Sequence, residues 1–179
     1  MHPVDQIFEV FQSVGGQAYL GEPVTQLQHA LQAAHIAVRD GAAPSLICAA
    51  LLHDIGHLLS SATEGKPAQD LWHENAGSNW LRAHFPESVS SPVQLHVAAK
   101  RYLCATEPEY LGRLSPASVH SLNLQGGVMS REEVAAFTRE PFHTDAVALR
   151  RWDDEAKNPS LVVPALETYR DLLRSLAVS

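Results

Sequence analysis

Ala50-Leu51-Leu52-His53-Asp54-Ile55-Gly56-His57 is the stretch from which the rest of the chain is best read. It completes an apolar run, Leu46 to His53, that Pro44 and Ser45 open. Ala and Leu dominate the run, so it reads as a helix started by proline in its first turn. An acidic residue directly behind Ala-Ala-Leu-Leu is costly to bury unless it is paired or bound to a metal. A His-Asp pair is a common dipeptide, so its surroundings decide. His29 precedes it inside another apolar helix, His73 and His96 follow, and Asp153 arrives late. Ten histidines in 179 residues also point towards metal chemistry.

Outward from this centre the punctuation reads as successive helices. Pro3 opens one that stops at Gly15-Gly16, with Ile7, Val10, Phe11 and Val14 on a 3.6-residue period. Tyr19 to Pro23 is a loop, and Thr25 caps a second helix ending near Gly41. After the third helix, residues 60–71 read as a polar loop. A fourth helix spans about 73–84, and Pro92 starts a fifth reaching about Leu103. Ser115-Pro116 begins a sixth, closed by Gly126-Gly127, and Ser130-Arg131-Glu132-Glu133 is a capping box for a short seventh. Two more follow, roughly 142–157 and 164–177. No segment alternates with period two, so the expectation is an all-α bundle of eight or nine helices forming one domain over residues 1–179.

Composition narrows the function. The chain is 45% hydrophobic and 18% charged, as in an ordinary soluble globular protein. No apolar run is long enough to cross a membrane, and no basic segment followed by an apolar one opens the chain. A cytoplasmic protein without membrane attachment is therefore expected. The net charge of −7, with no visible basic face, argues against nucleic-acid binding. An anionic small substrate would need local cations or metals. Cys48 and Cys104 read as free thiols, and the absence of paired cysteines argues against a structural zinc site. Oligomeric state is not legible.

The order His…His-Asp…His…His…Asp is that of the HD superfamily. More narrowly, the chain resembles the mixed-valent diiron oxygenases of that superfamily that cleave carbon–phosphorus bonds in 2-amino-1-hydroxyethylphosphonate-type substrates. Four stretches carry the likeness: Tyr19-Leu20-Gly21-Glu22-Pro23-Val24-Thr25-Gln26-Leu27-Gln28-His29, Ala50 to His57, His96-Val97-Ala98-Ala99-Lys100-Arg101-Tyr102-Leu103, and Leu149-Arg150-Arg151-Trp152-Asp153. Gln125-Gly126-Gly127-Val128-Met129 is also similar.

The resemblance implies two iron ions, Fe(II) and Fe(III), with O2 as co-substrate. Asp54 would bridge them, His29, His53 and Asp153 would hold one, and His73 and His96 the other. Asp154 is the rival for the last position, and the family's Arg-Arg-Trp-Asp pattern selects Asp153. Tyr19 would be an iron ligand that gives way to substrate, with Glu22 pairing with it or meeting the substrate's amine. That makes their loop a lid. Judged without the family, Tyr19 is a packing residue in a turn. His57 would face the substrate or cap a helix end. Lys100, one helical turn after His96, and Arg150, three residues before Asp153, would form a phosphonate cradle with Ser118 and Ser121. The plain alternatives are solvated charges and helix-capping serines. The implied reaction converts a 1-hydroxy-2-aminoethylphosphonate, with a primary or trimethylated amine, to phosphate and glycine or a betaine-like acid. Two other readings compete: an HD-type metal-dependent phosphohydrolase acting on a nucleotide or phosphoester, and a non-catalytic metal-binding module.

Overall fold

The computed structural model describes residues 1–19, 21–64 and 73–178, apart from the side chains of 62–64, 73, 74 and 76. Among the described residues the architecture is all α. The helices are α1 (Pro3–Val14), α2 (Gln26–Arg39), α3 (Pro44–Leu52), α4 (Ile55–Glu64), α5 (His73–His84), α6 (Glu87–Thr106), α7 (Tyr110–Arg113), α8 (Pro116–Leu124), α9 (Arg131–Phe137), α10 (His143–Glu155) and α11 (Arg170–Leu176). A 3₁₀ turn, Leu166–Tyr169, leads into the last.

Local chemistry sets several of these boundaries. Thr25 Oγ1 accepts from Gln28 N–H, and Gln28 returns the bond to Thr25 N–H. Ser130 and Glu133 form the same reciprocal cap on α9. The heart of the bundle is α3, buried continuously from Cys48 through Leu58 in α4. Helices α2, α5, α6 and α10 surround these two. Val89 and Val93 of α6 and Leu149 of α10 are fully buried and close the core around α3. A smaller cluster, Ala99, Phe137 and Ala146, seats α9 against α6 and α10. Both cysteines are free thiols, Cys48 fully buried and Cys104 partly so.

Four elements differ from the sequence expectation. Residues 60–64 continue α4 instead of starting a loop; 65–72 lie outside the described residues. The polar Ser60-Ser61-Ala62-Thr63-Glu64 resembles loop composition, yet a helix already started at Ile55 propagates at low cost. Helix α6 starts at Glu87, with Pro92 inside it. Proline forfeits one backbone bond there, and the buried faces of Val89, Ser90 and Val93 offset the loss. Helix α7 is a single turn too short to leave a periodic signature. The last helix splits because Ala165 offers no side-chain cap, so the chain enters through a tight 3₁₀ turn.

Helices α4 and α5 meet at two glycines. A Cβ on Gly77 would stand 3.1 Å from Gly56 N. Gly77→Ala should therefore overpack this contact and cost about 1–3 kcal/mol. Thermal melting should show a loss of about 2–4 °C per kcal/mol at this chain length. An unchanged melting temperature would mean that the helices separate freely.

Candidate metal centre

The chain turns sharply between α3 and α4, and that turn carries His53 and Asp54. His53 forms the C-cap of α3, and His57 N–H donates to Asp54 O at 3.0 Å to start α4. The pair therefore lies in the core, at the end of the most apolar helix. Helix α2 supplies His29, α6 supplies His96, and α10 supplies Asp153. All are buried: His29 and His53 are 0% exposed, His96 and Asp153 2%, and Asp54 7%.

Each of the three imidazoles is oriented by its own backbone acceptor. Nδ1–H donates to Ala156 O from His29 (2.9 Å), to Ala50 O from His53 (2.8 Å) and to Val93 O from His96 (2.6 Å). With the proton on Nδ1, Nε2 carries a lone pair. These lone pairs converge. His29 Nε2 lies 3.0 Å from His53 Nε2 and 3.3 Å from Asp153 Oδ1. Asp54 Oδ2 is 3.7 Å from His29 Nε2 and 3.5 Å from His53 Nε2, and its Oδ1 is 3.8 Å from His96 Nε2. Asp153 Oδ1 is fully buried without a hydrogen bond of good geometry. Acceptors aimed at one another in a buried space are satisfied by a cation. His29, His53 and Asp153 have ligand atoms close enough to hold one metal ion. The imidazole and carboxylate set suits iron or manganese. His73 begins α5, and its side chain lies outside the described residues.

A second layer holds these groups. Burial alone would raise the Asp153 carboxyl, but the Arg150 guanidinium beside it, helped by His29, holds it well below the usual carboxylate range. Arg150 Nη1 lies 2.7 Å from Asp153 Oδ2, Nη2 pairs with Asp154, and Nε donates to the Tyr110 hydroxyl at 3.2 Å. Asp154, the sequence rival of Asp153, is thus tied to Arg150 and Tyr110. Arg150 directs these three groups to α10 and α7, and it also lines the cavity where the resemblance implies a phosphonate contact. Arg150→Met should lower metal affinity about 10–100-fold, as loss of such outer partners does elsewhere. Calorimetric titration with iron(II) under anaerobic conditions measures this, and unchanged affinity would count against the positioning role.

Tyr19 covers the centre. Its ring stacks on His29, with centroids 3.9 Å apart and planes at 16°. Its hydroxyl donates to Asp54, and burial, then the Asp54 and Asp153 charges, push it well above the ordinary tyrosine range. Tyr19 is held in a tight turn: its N–H donates to Val24 O at 3.0 Å, and Glu22 N–H donates back to Tyr19 O at 2.7 Å. Gly21, at φ +81°, supplies a left-handed position within it.

A cavity of about 840 Å³ opens onto Asp54, His96 and Asp153. Its walls carry Tyr19, Glu22, His57, Lys100, Ser118, Ser121, Arg150 and Lys157. Lys100 is only 2% exposed and donates to Ser121 Oγ at 2.6 Å. His57 sits within α4 and is 4% exposed, which removes the reading of it as a helix-end cap. Neither Ser118 nor Ser121 caps α8; Ser115 does, accepting from Ser118 N–H at 3.1 Å. Sequence reasoning passed over Lys157, which donates to Ser118 Oγ at 2.9 Å and lies 3.2 Å from Glu22 Oε1. Its spacing of four from Asp153 was the available signal.

Residues 27–151 match the HD domain family model. The chain is 47% identical over 175 residues to a hydroxymethylphosphonate dioxygenase of Gimesia maris, covering 96% of this chain and 87% of that protein. It is 46% identical over 163 residues to a [1-hydroxy-2-(trimethylamino)ethyl]phosphonate dioxygenase (glycine-betaine-forming) of Leisingera caerulea, covering 90% and 83%. An uncharacterized protein of Acanthamoeba polyphaga mimivirus is 36% identical over 174 residues, covering 95% and 80%. No described helix is long and apolar enough to cross a membrane.

Proposed function

This chain belongs to the HD-domain family, in the company of its phosphonate dioxygenase relatives, and from that premise we propose that it uses O2 to cleave the carbon–phosphorus bond of a 1-hydroxyalkylphosphonate. One O2 and the hydroxyphosphonate become one carboxylic acid and one inorganic phosphate. The carbinol carbon is oxidised, its bond to phosphorus breaks, and phosphorus gains an oxygen. The substrate's second carbon carries a primary amine or a trimethylammonium group, giving glycine or its betaine.

The observation that carries this reading is the cavity itself. Two cations with their hydroxyls, the buried Lys100 with Ser121 and the half-buried Lys157 with Ser118, line one space that opens directly onto the imidazole–carboxylate centre. A hydroxyphosphonate needs both parts, a cradle for three anionic oxygens and a metal edge for its hydroxyl. In this reading Asp54 would bridge two ions, His29, His53 and Asp153 would hold one, and His73 and His96 would hold the other. An Fe(II)/Fe(III) pair, when bound, supplies the redox equivalents and the open positions for O2 and substrate. The chain's own groups do the rest. Lys100 and Ser121 neutralise and orient the phosphonate, and Arg150 keeps Asp153 charged and aimed. Tyr19 would exclude water until substrate arrives, and His57 lines the same cavity. The Tyr19–Glu22 turn before His29 favours an oxygenase over a phosphohydrolase, which has no need of a phenol on Asp54.

The test is anaerobic reconstitution with iron(II), partial oxidation and low-temperature EPR, with and without 2-amino-1-hydroxyethylphosphonate. The expected result is a spin-coupled signal below the free-electron g value that substrate perturbs, followed by phosphate release when O2 is admitted. No coupled signal, together with manganese- or cobalt-dependent phosphatase activity, would replace the oxygenase with a hydrolase.

A further inference from the structure

The three imidazoles of the centre reach their acceptors in two different ways. His53 and His96 donate Nδ1–H to Ala50 O and Val93 O, each three residues back along the same run of helix. Those bonds are available wherever α3 and α6 form. His29 donates instead to Ala156 O, 127 residues away and just past the end of α10. The aim of the His29 ring therefore depends on what holds that distant carbonyl in place.

Helix α10 holds it from behind, because Ala156 N–H donates to Trp152 O at 2.9 Å. Ahead of it the helix has ended, and Pro159 disfavours helical backbone at Asn158. Gln32 anchors the chain at this point. It lies on α2, three residues after His29 and so on the same face, and is 1% exposed. Its Nε2–H donates to Asn158 O at 2.8 Å, and its Oε1 accepts from Asn158 N–H at 3.1 Å. One side-chain amide thus grips both backbone groups of one residue, two positions beyond the carbonyl that His29 uses. Burying an amide costs stability unless its polar atoms are bonded. Asn158 is itself exposed, so water can serve its backbone groups, and folding alone gives little reason for a buried glutamine here. Orientation gives one. His29 Nε2 has to point at the ion, towards His53 Nε2 at 3.0 Å and Asp153 Oδ1 at 3.3 Å.

We propose that Gln32 is a positioning residue of the metal centre: by clamping Asn158 it fixes the Ala156 carbonyl, and through that carbonyl it aims the ring of His29. The inference rests on the metal-centre reading of the site and on no feature of the substrate.

Gln32→Met keeps the volume and removes both bonds. In metal-free protein above the histidine titration range, the ring-nitrogen chemical shifts report which nitrogen carries the proton. Wild type should show the Nδ1–H form at His29, His53 and His96. In Gln32→Met, His29 should become a mixture of the two neutral forms. His53 and His96 should not change, because their acceptors lie on their own helices. Calorimetric titration with iron(II) under anaerobic conditions should show affinity lowered about tenfold or more, as loss of an outer partner does elsewhere. Linkage makes the effect reciprocal. In wild type, saturating iron(II) should therefore slow hydrogen exchange at the Asn158 amide, while the Glu133 amide in the cap of α9 keeps its rate. A His29 that stays wholly in the Nδ1–H form in Gln32→Met, or an unchanged iron(II) affinity, would overturn the inference. So would equal changes at all three histidines, which would make the clamp a support of the whole fold. If Gln32→Met does not fold, the wild-type exchange decides, and an Asn158 amide indifferent to iron(II) overturns the inference. Failure of the wild type to bind iron(II) would overturn it together with the metal-centre reading.

Discussion

Asp54→Asn is expected to abolish oxygen-dependent phosphate release and to erase the rise in melting temperature that iron(II) should give the wild-type protein. The reason is positional. Asp54 presents Oδ2 to His29 and His53 and Oδ1 to His96, so one carboxylate spans both groups of imidazoles. Asparagine keeps the shape but loses the charge and turns an amide N–H₂ towards one group. At a hundredfold excess over its dissociation constant, a ligand that binds only the folded state stabilises it by about 2.7 kcal/mol. For a chain of this length that is a rise of about 5–10 °C. Scanning calorimetry under nitrogen, with and without iron(II), reads it directly. A variant that kept both the rise and the turnover would remove Asp54 from the centre.

Lys100→Met is expected to keep metal, keep or gain stability, and lose turnover. Lys100 is 2% exposed and bonded to Ser121 within the cavity wall. Burying an ammonium costs folding free energy, and an apolar side chain of similar length often recovers it. The melting temperature should therefore hold or rise. The same change removes a charge-assisted contact worth about 1.5–3 kcal/mol to an anionic ligand. Converted at about 1.4 kcal/mol per tenfold, kcat/KM for a hydroxyphosphonate falls about 10–150-fold. Iron content and any coupled EPR signal should stay as in wild type. Parallel losses of iron and activity would instead make Lys100 a support for the centre, and unchanged kcat/KM would place it outside the substrate's reach.

Much of the architecture was legible because helix signals are local. The Thr25 and Ser130 caps, the Pro44 start and the apolar faces of α1 to α3 stand in the sequence as they stand in the structure. What misled was composition read without context. Pro92 looked like a helix start because the buried packing that tolerates a missing N–H is not visible locally. Ser60 to Glu64 looked like loop because nothing in them announces that α4 is already under way. Arg150 lines the cavity, and its spacing to Asp153 is plain in the sequence, but the hold that Tyr110, forty residues away, has on it is not. Lys157 was passed over for the converse reason. A lysine beyond a helix end reads as solvated, and only Gln32 and His29, from α2, turn its backbone inward.

Helical class, family and the ligand types gathered at the centre are legible in the residues alone, because they rest on periodicity and on an ordered set of side chains with distinctive chemistry. Tertiary structure decided how those side chains are used. Three Nδ1–H bonds to backbone carbonyls turn His29, His53 and His96 so that their lone pairs converge. Arg150 is drawn to Asp153 and Asp154, and Glu22 is brought from one end of the chain to Lys157 near the other. Each of these is a contact of a few ångströms between residues remote in sequence or set by rotamer, and such contacts exist only once the core around α3 has closed.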